Sequence, residues 1–169
     1  MAHYYHLTSD GPDTNLQLYS LRQAGKYWND LVDETSTGAY AEDFHERCVF
    51  VVCTIGLSVS QLLGQNVPVP DKRVPSPEKI FQVLSEKHGF DPCLTVDFKR
   101  FIDRYDQCRH FGLTDDGVRH HEVSQVTFDE TKWIYEFGLK VWDIVVDAYR
   151  RDPASQLDEF DIEDILSSP

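Results

Sequence analysis

Residues 40–63, YAEDFHERCVFVVCTIGLSVSQLL, decide how this chain folds. Phe44, Cys48, Val51, Ile55, Val59 and Leu62 recur at steps of three and four and so share one helix face, while Val49, Phe50 and Val52 make other faces apolar too. A helix that is apolar almost all round must be enclosed by other elements, and this one is therefore expected at the centre of a bundle. Its most apolar run, residues 48–59, is interrupted by Thr54, Gly56 and Ser58 and is too short to cross a bilayer, which again suits a core helix.

Outward from that segment the helical period repeats. Leu16, Leu18, Leu21, Ala24, Trp28, Leu31 and Val32 predict a first helix over residues 15–34, broken by STG at 36–38. Residues 65–75, QNVPVPDKRVP, hold three prolines and are expected to form a loop, because proline lacks an amide donor and clashes inside a helix. Ser76 and Pro77 then open a third helix as N-cap and first-turn proline, and Gly89 closes it. Thr95 is the expected cap of a fourth, whose stripe is Phe98, Phe101, Ile102, Tyr105 and Cys108. Thr127 to Glu130, TFDE, matches a capping box and starts a fifth helix that runs through Trp133, Ile134, Phe137, Val141, Ile144, Val145 and Ala148 to a stop at Pro153. No stretch alternates as a strand would, so the expectation is an all-α, single-domain bundle of about five helices over residues 13–152, with an N-terminal arm at 1–12 and an acidic tail at 153–169.

The chain has 169 residues and a net charge of −13, which disfavours general attraction to nucleic acid or anionic lipid. One segment runs against this. Residues 98–121 hold Lys99, Arg100, Arg104, Arg109 and Arg119 against Asp103, Asp106, Asp115 and Asp116, with His110, His120 and His121 in addition. The segment is thus slightly positive inside an acidic protein, the kind of place where an anion would be met. Cys48, Cys53, Cys93 and Cys108 form no CxxC pair and are expected as reduced, buried thiols, and no secretory signal is expected at the N-terminus; both readings point to the cytoplasm. The three histidines fall at no metal-ligand spacing, so neither a metal nor a cofactor is expected. Trp28, Trp133 and Trp142 sit at helical spacing and are expected in the core. The tail interleaves Leu157, Phe160, Ile162, Ile165 and Leu166 with five acids, either as a short docking helix or as a partner-binding segment.

Within the basic segment, residues 104–112 read RYDQCRHFG, with Arg104 and His110 separated by five residues just before Gly112. This motif on the fourth of five helical segments resembles the HEPN family (higher eukaryotes and prokaryotes nucleotide-binding), in which an arginine, four to six residues and a histidine mark a metal-independent RNA-cleaving site. The resemblance implies a homodimer with two facing motifs, an RNA substrate and a place in a bacterial toxin-antitoxin or antiviral system. Arg104 would stabilise the charge of the transition state and His110 would move protons, with Arg100, Arg109, Arg119, His120 and His121 guiding the RNA. The chain departs from the family's pattern immediately after the arginine, where a polar residue is usual and Tyr105 lies on the apolar stripe. On a straight helix positions six apart differ by about 120°, so His110 would have to leave the cylinder near Gly112 to meet Arg104. The competing reading pairs Arg104 with an acid such as Asp97 or Asp103, puts His110 at the helix C-terminus, and makes the protein a non-catalytic acidic adaptor, an accessory subunit or a nucleic-acid mimic that works through a protein partner.

Overall fold

The computed structural model describes residues 16–64, 75–109 and 126–151. These form five α-helices and no strand: α1 (Leu16–Thr37), α2 (Phe44–Gly64), α3 (Pro77–His88), α4 (Pro92–Arg109) and α5 (Phe128–Arg151). The all-α, single-domain bundle expected from the periodicity is what the described residues adopt. The arm, the acidic tail, the proline-rich connector at 65–74 and the RHH connector lie outside them.

Helix α2 is the hub and touches each of the other four helices. Cys48, Val51, Val52, Ile55, Val59, Leu62 and Leu63 are fully buried, but Phe50 is 50% and Leu57 38% exposed, so among the described residues α2 is central without being enclosed on every side. At 21 residues α2 is long and apolar enough to cross a membrane by length and composition alone, since the helix outruns its most apolar stretch, but more than half of it is buried against its neighbours. Two glycines allow the closest approaches around it. A methyl group on Gly56 would collide with the Tyr105 ring of α4, and one on Gly138 of α5 would collide with Ile55 of α2 and press on Phe101 of α4.

The ends of the helices follow local chemistry. Ser76 accepts the Lys79 amide at 3.4 Å and Gly89 closes α3 in the left-handed region at φ 65°, both as expected. Helix α4 begins earlier than expected: Asp91, not Thr95, receives the Cys93 amide at 2.9 Å, and Pro92 occupies the first turn where its missing donor costs nothing. Thr95 lies inside the helix with its hydroxyl 3.3 Å from that of Ser85, tying α4 to α3. Helix α1 runs three residues beyond its expected end, and there Thr35, Ser36 and Thr37 turn their hydroxyls onto carbonyls one turn back. The hairpin to α2 is pinned by Glu34, which accepts the Ala41 amide at 3.1 Å and pairs with Arg47. Phe128 stacks on Trp28 at 5.2 Å and so fixes the start of α5 against α1.

Not every apolar assignment survives packing. Val32 is 39% exposed although it continues the α1 stripe, and Cys93 is exposed at the start of α4 rather than buried. Cys48 and Cys108 are buried, and burial pushes the thiol of partly exposed Cys53 up to about 12. All four cysteines are free.

Candidate functional site: a cationic cleft between α4 and α5

The outer face of α4 and the first two turns of α5 enclose an open cleft of about 380 Å³, lined by Val96, Lys99, Arg100, Asp103, Arg104, Gln107, Glu130 and Trp133. Positions 96, 99, 100, 103, 104 and 107 share one helical face, the face opposite the buried Phe98, Phe101, Tyr105 and Cys108. Capping of α5 supplies the other wall. The Thr127 hydroxyl accepts the Glu130 amide at 3.2 Å, and the first turn then presents Glu130 and Trp133 to α4.

Arg104 is the most constrained cation in the cleft. Its Nη2 donates to Glu130 Oε2 at 3.0 Å, and its Nη1 donates to Gln107 Oε1 at 3.0 Å. Its Nε lies 2.8 Å from Glu130 Oε1, a contact too poorly aligned to be a hydrogen bond. The pair joins α4 to α5, with the Arg104 side chain 19% exposed and that of Glu130 29% exposed. The acid that holds Arg104 is therefore across the cleft, not Asp97 or Asp103 on its own helix. Glu130 also behaves differently from its expected role in the capping box: Thr127 makes its half of the box, while both carboxylate oxygens of Glu130 face Arg104.

The remaining candidate residues divide. Arg100 lies 4.4 Å above the centre of the Trp133 ring, on the cleft wall. Trp133 is half-buried and lines the cleft as well as stacking on Phe137, instead of being wholly in the core; Trp142 is buried as expected. Arg109 does not join this group. It turns along α4 to pair with Asp106 at 2.9 Å and sits 5.3 Å from the Tyr105 ring, away from the cleft. Tyr105 itself is buried against Gly56, so the position after the arginine carries packing; burial raises its phenol above the usual range, with Arg109 opposing. Lys99 is a cation that the motif did not single out, placed 3.4 Å from Asp103 and 3.7 Å from Glu78 of α3. His110, Arg119, His120 and His121 lie outside the described residues.

Sequence reasoning located Arg100 and Arg104 but missed Glu130, Gln107 and Trp133. Gln107 was legible as the residue three places after Arg104 on the same face. The other two come from a different helix, and only tertiary packing brings them to α4. Chemically the cleft sets guanidinium and ammonium groups beside an indole face, with Arg104 matched by Glu130 and Lys99 by Asp103 and Glu78, while Arg100 rests on the Trp133 ring. Among the described residues no cluster of three or more His, Cys, Asp or Glu is placed to hold a metal ion. In comparisons with known proteins the chain matches no family model, no curated sequence and no solved structure.

Proposed function

We propose that this chain is a non-catalytic helical binding module, a degenerate HEPN-like domain whose motif arginine serves the fold and whose α4–α5 cleft takes an acidic partner. The observation that carries the reading is the pairing of Arg104 with Glu130 across two helices. A cation that is to stabilise a pentacovalent phosphate must have donors aimed at the place where charge develops. Arg104 instead directs Nη2 at the Glu130 carboxylate and Nη1 at Gln107, so its charge is compensated before any phosphate arrives. Burial of Tyr105 in the position that is commonly polar in HEPN motifs supports the same reading. Such a domain would act as an adaptor or accessory subunit, in the toxin-antitoxin or antiviral setting implied by the family resemblance.

The test is incubation of the purified protein with single-stranded RNA in EDTA near neutral pH. The expected result is intact RNA, indistinguishable from a protein-free blank. Cleavage by the wild-type chain that disappears in both Arg104→Ala and His110→Ala, with helicity and cooperative melting retained, would replace this proposal with a metal-independent endoribonuclease.

A further inference from the structure

Helix α2 packs against four neighbours and still presents one flank outward, although a helix apolar on nearly every side calls for cover there too. Glu46, Phe50, Cys53, Thr54, Leu57 and Gln61 follow one another along that flank at helical steps, with Phe50 50% and Leu57 38% exposed. Tyr27 of α1 widens the apolar surface, its ring 5.8 Å from that of Phe50. The α1–α2 hairpin thus offers a face about 31 Å long, at 1.5 Å per residue over the 21 residues of α2, and two helices, or about 20 Å, wide. Its area is on the order of 600 Å², which is what the smaller specific interfaces bury on each side.

The order of residues along the stripe fits it to itself. A two-fold axis lying across α2 between Cys53 and Thr54 sets two copies of the helix antiparallel, so that each residue faces the one equally far beyond the axis. Phe50 then meets Leu57 of the second copy, and Leu57 meets its Phe50, which covers both exposed apolar side chains at once. At the axis stand two small side chains, and Thr54 donates its hydroxyl to the Phe50 carbonyl at 2.6 Å, so the approach of the backbones buries no unmatched hydroxyl donor there. Further out, Glu46 meets Gln61 of the second copy. Glu46 is the one charge among these six residues and has no ion pair among the described residues; Gln61 accepts the Ser20 hydroxyl on its Oε1 at 3.5 Å, which leaves its amide nitrogen to donate to a carboxylate. In a chain of net charge −13, a stripe with one acid in six positions is where two copies approach with little repulsion.

We propose that this face is an isologous homodimer interface, in which α2 of one copy lies antiparallel on α2 of a second with Phe50 seated against Leu57. Leu57 points about 160° away from Ile55, the residue that meets Gly138 of α5, so the dimer forms on the side of α2 remote from α5. The proposal goes beyond the binding-module reading: the dimer carries two α4–α5 clefts, and a partner with two acidic segments gains effective concentration by engaging both. It also differs from the dimer implied by the HEPN resemblance, which would place the 104–110 motifs face to face.

The test is analytical ultracentrifugation of the full-length chain. Wild type is expected to sediment as a dimer at about 0.1 mM. Phe50→Lys and Leu57→Glu are each expected to raise the Kd for self-association by about tenfold or more, because the symmetry repeats every lost contact, and both positions are exposed, so helicity and melting should be retained. Glu46→Lys, an exposed change in the first turn of α2, should weaken the dimer severalfold. An equimolar mixture of the Phe50→Lys and Leu57→Glu chains decides the register. The new cation of one chain then faces the new carboxylate of the other, while Leu57 and Phe50 still meet on the far side of the axis, so the mixture is expected to regain a dimer that neither variant forms alone. A monomeric wild type at about 0.1 mM overturns the proposal. Dimers that persist unchanged in all three variants overturn it in favour of another face, the 104–110 motif included, and a mixture that stays monomeric overturns the antiparallel pairing of Phe50 with Leu57. None of these readouts involves RNA or a ligand of the cleft, so the dimer and the non-catalytic reading can fail separately.

Discussion

At the scale of single residues, the account rests on side chains whose surroundings leave little choice. Gly56 and Gly138 lie where helices approach so closely that a Cβ has no room against Tyr105 or against Ile55 and Phe101. Gly56→Ala and Gly138→Ala are each expected to lower unfolding stability by about 1–3 kcal/mol, even though alanine favours a helix, and chemical denaturation would measure this. An unchanged midpoint in both variants would mean that α2, α4 and α5 pack less tightly than described. The core partners of these glycines were legible from periodicity, but the glycines themselves were not: a residue without a side chain gives no hydropathy signal, and its role is set by what another helix brings to it. Arg104 shows the same limit. The sequence displays its neighbours on α4 but not Glu130, which is 26 positions away and whose expected partner was the end of its own helix.

Helix ends carry the next set of expectations. Ser76→Ala removes the acceptor of the Lys79 amide, and Thr127→Ala removes that of Glu130; each is expected to cost about 1 kcal/mol. The two variants should differ in one respect. Thr127→Ala loosens the turn that presents Glu130 and Trp133 and should alter tryptophan fluorescence before global melting, whereas Ser76→Ala should not, since α3 carries no tryptophan. The α1–α2 hairpin adds a pH dependence. The Ala41 amide holds the Glu34 carboxyl below its ordinary value of 4.5; burial opposes it, and the hydrogen bond and charge of Arg47 add to the lowering. A carboxylate with a depressed pKa stabilises the fold at pH above its unfolded value, and that contribution is lost as pH falls through the folded value. Wild type and Glu34→Gln should therefore differ most in melting temperature above about pH 5 and converge in stronger acid. A constant difference across this range would remove Glu34 from the account. These caps were readable wherever the signal was a local pair of residues, as with Ser76 and Gly89. Asp91 was overlooked in favour of Thr95 because the apolar stripe starts later than the helix does.

At the scale of the whole molecule, a hub helix packs against four others and leaves one flank, with Phe50 and Leu57, exposed, while cations and carboxylates meet where α4 faces α5. The order of the described helices follows directly from the all-round apolar character of α2 and the one-sided stripes of its neighbours. The cleft is a product of assembly: α4 supplies the cations and α5 supplies the counter-charge and the aromatic face. Everything proposed for it depends on Arg104 having its charge matched inside the fold. A double-mutant cycle on unfolding free energy, with Arg104→Ala, Glu130→Ala and the double variant, tests that most directly. The pair is partly exposed, so the predicted coupling is modest, on the order of 1 kcal/mol in favour of the pair, with each single variant losing more than the double variant adds. Strictly additive losses, with Arg104→Ala costing nothing, would contradict the account and return a free guanidinium to the cleft.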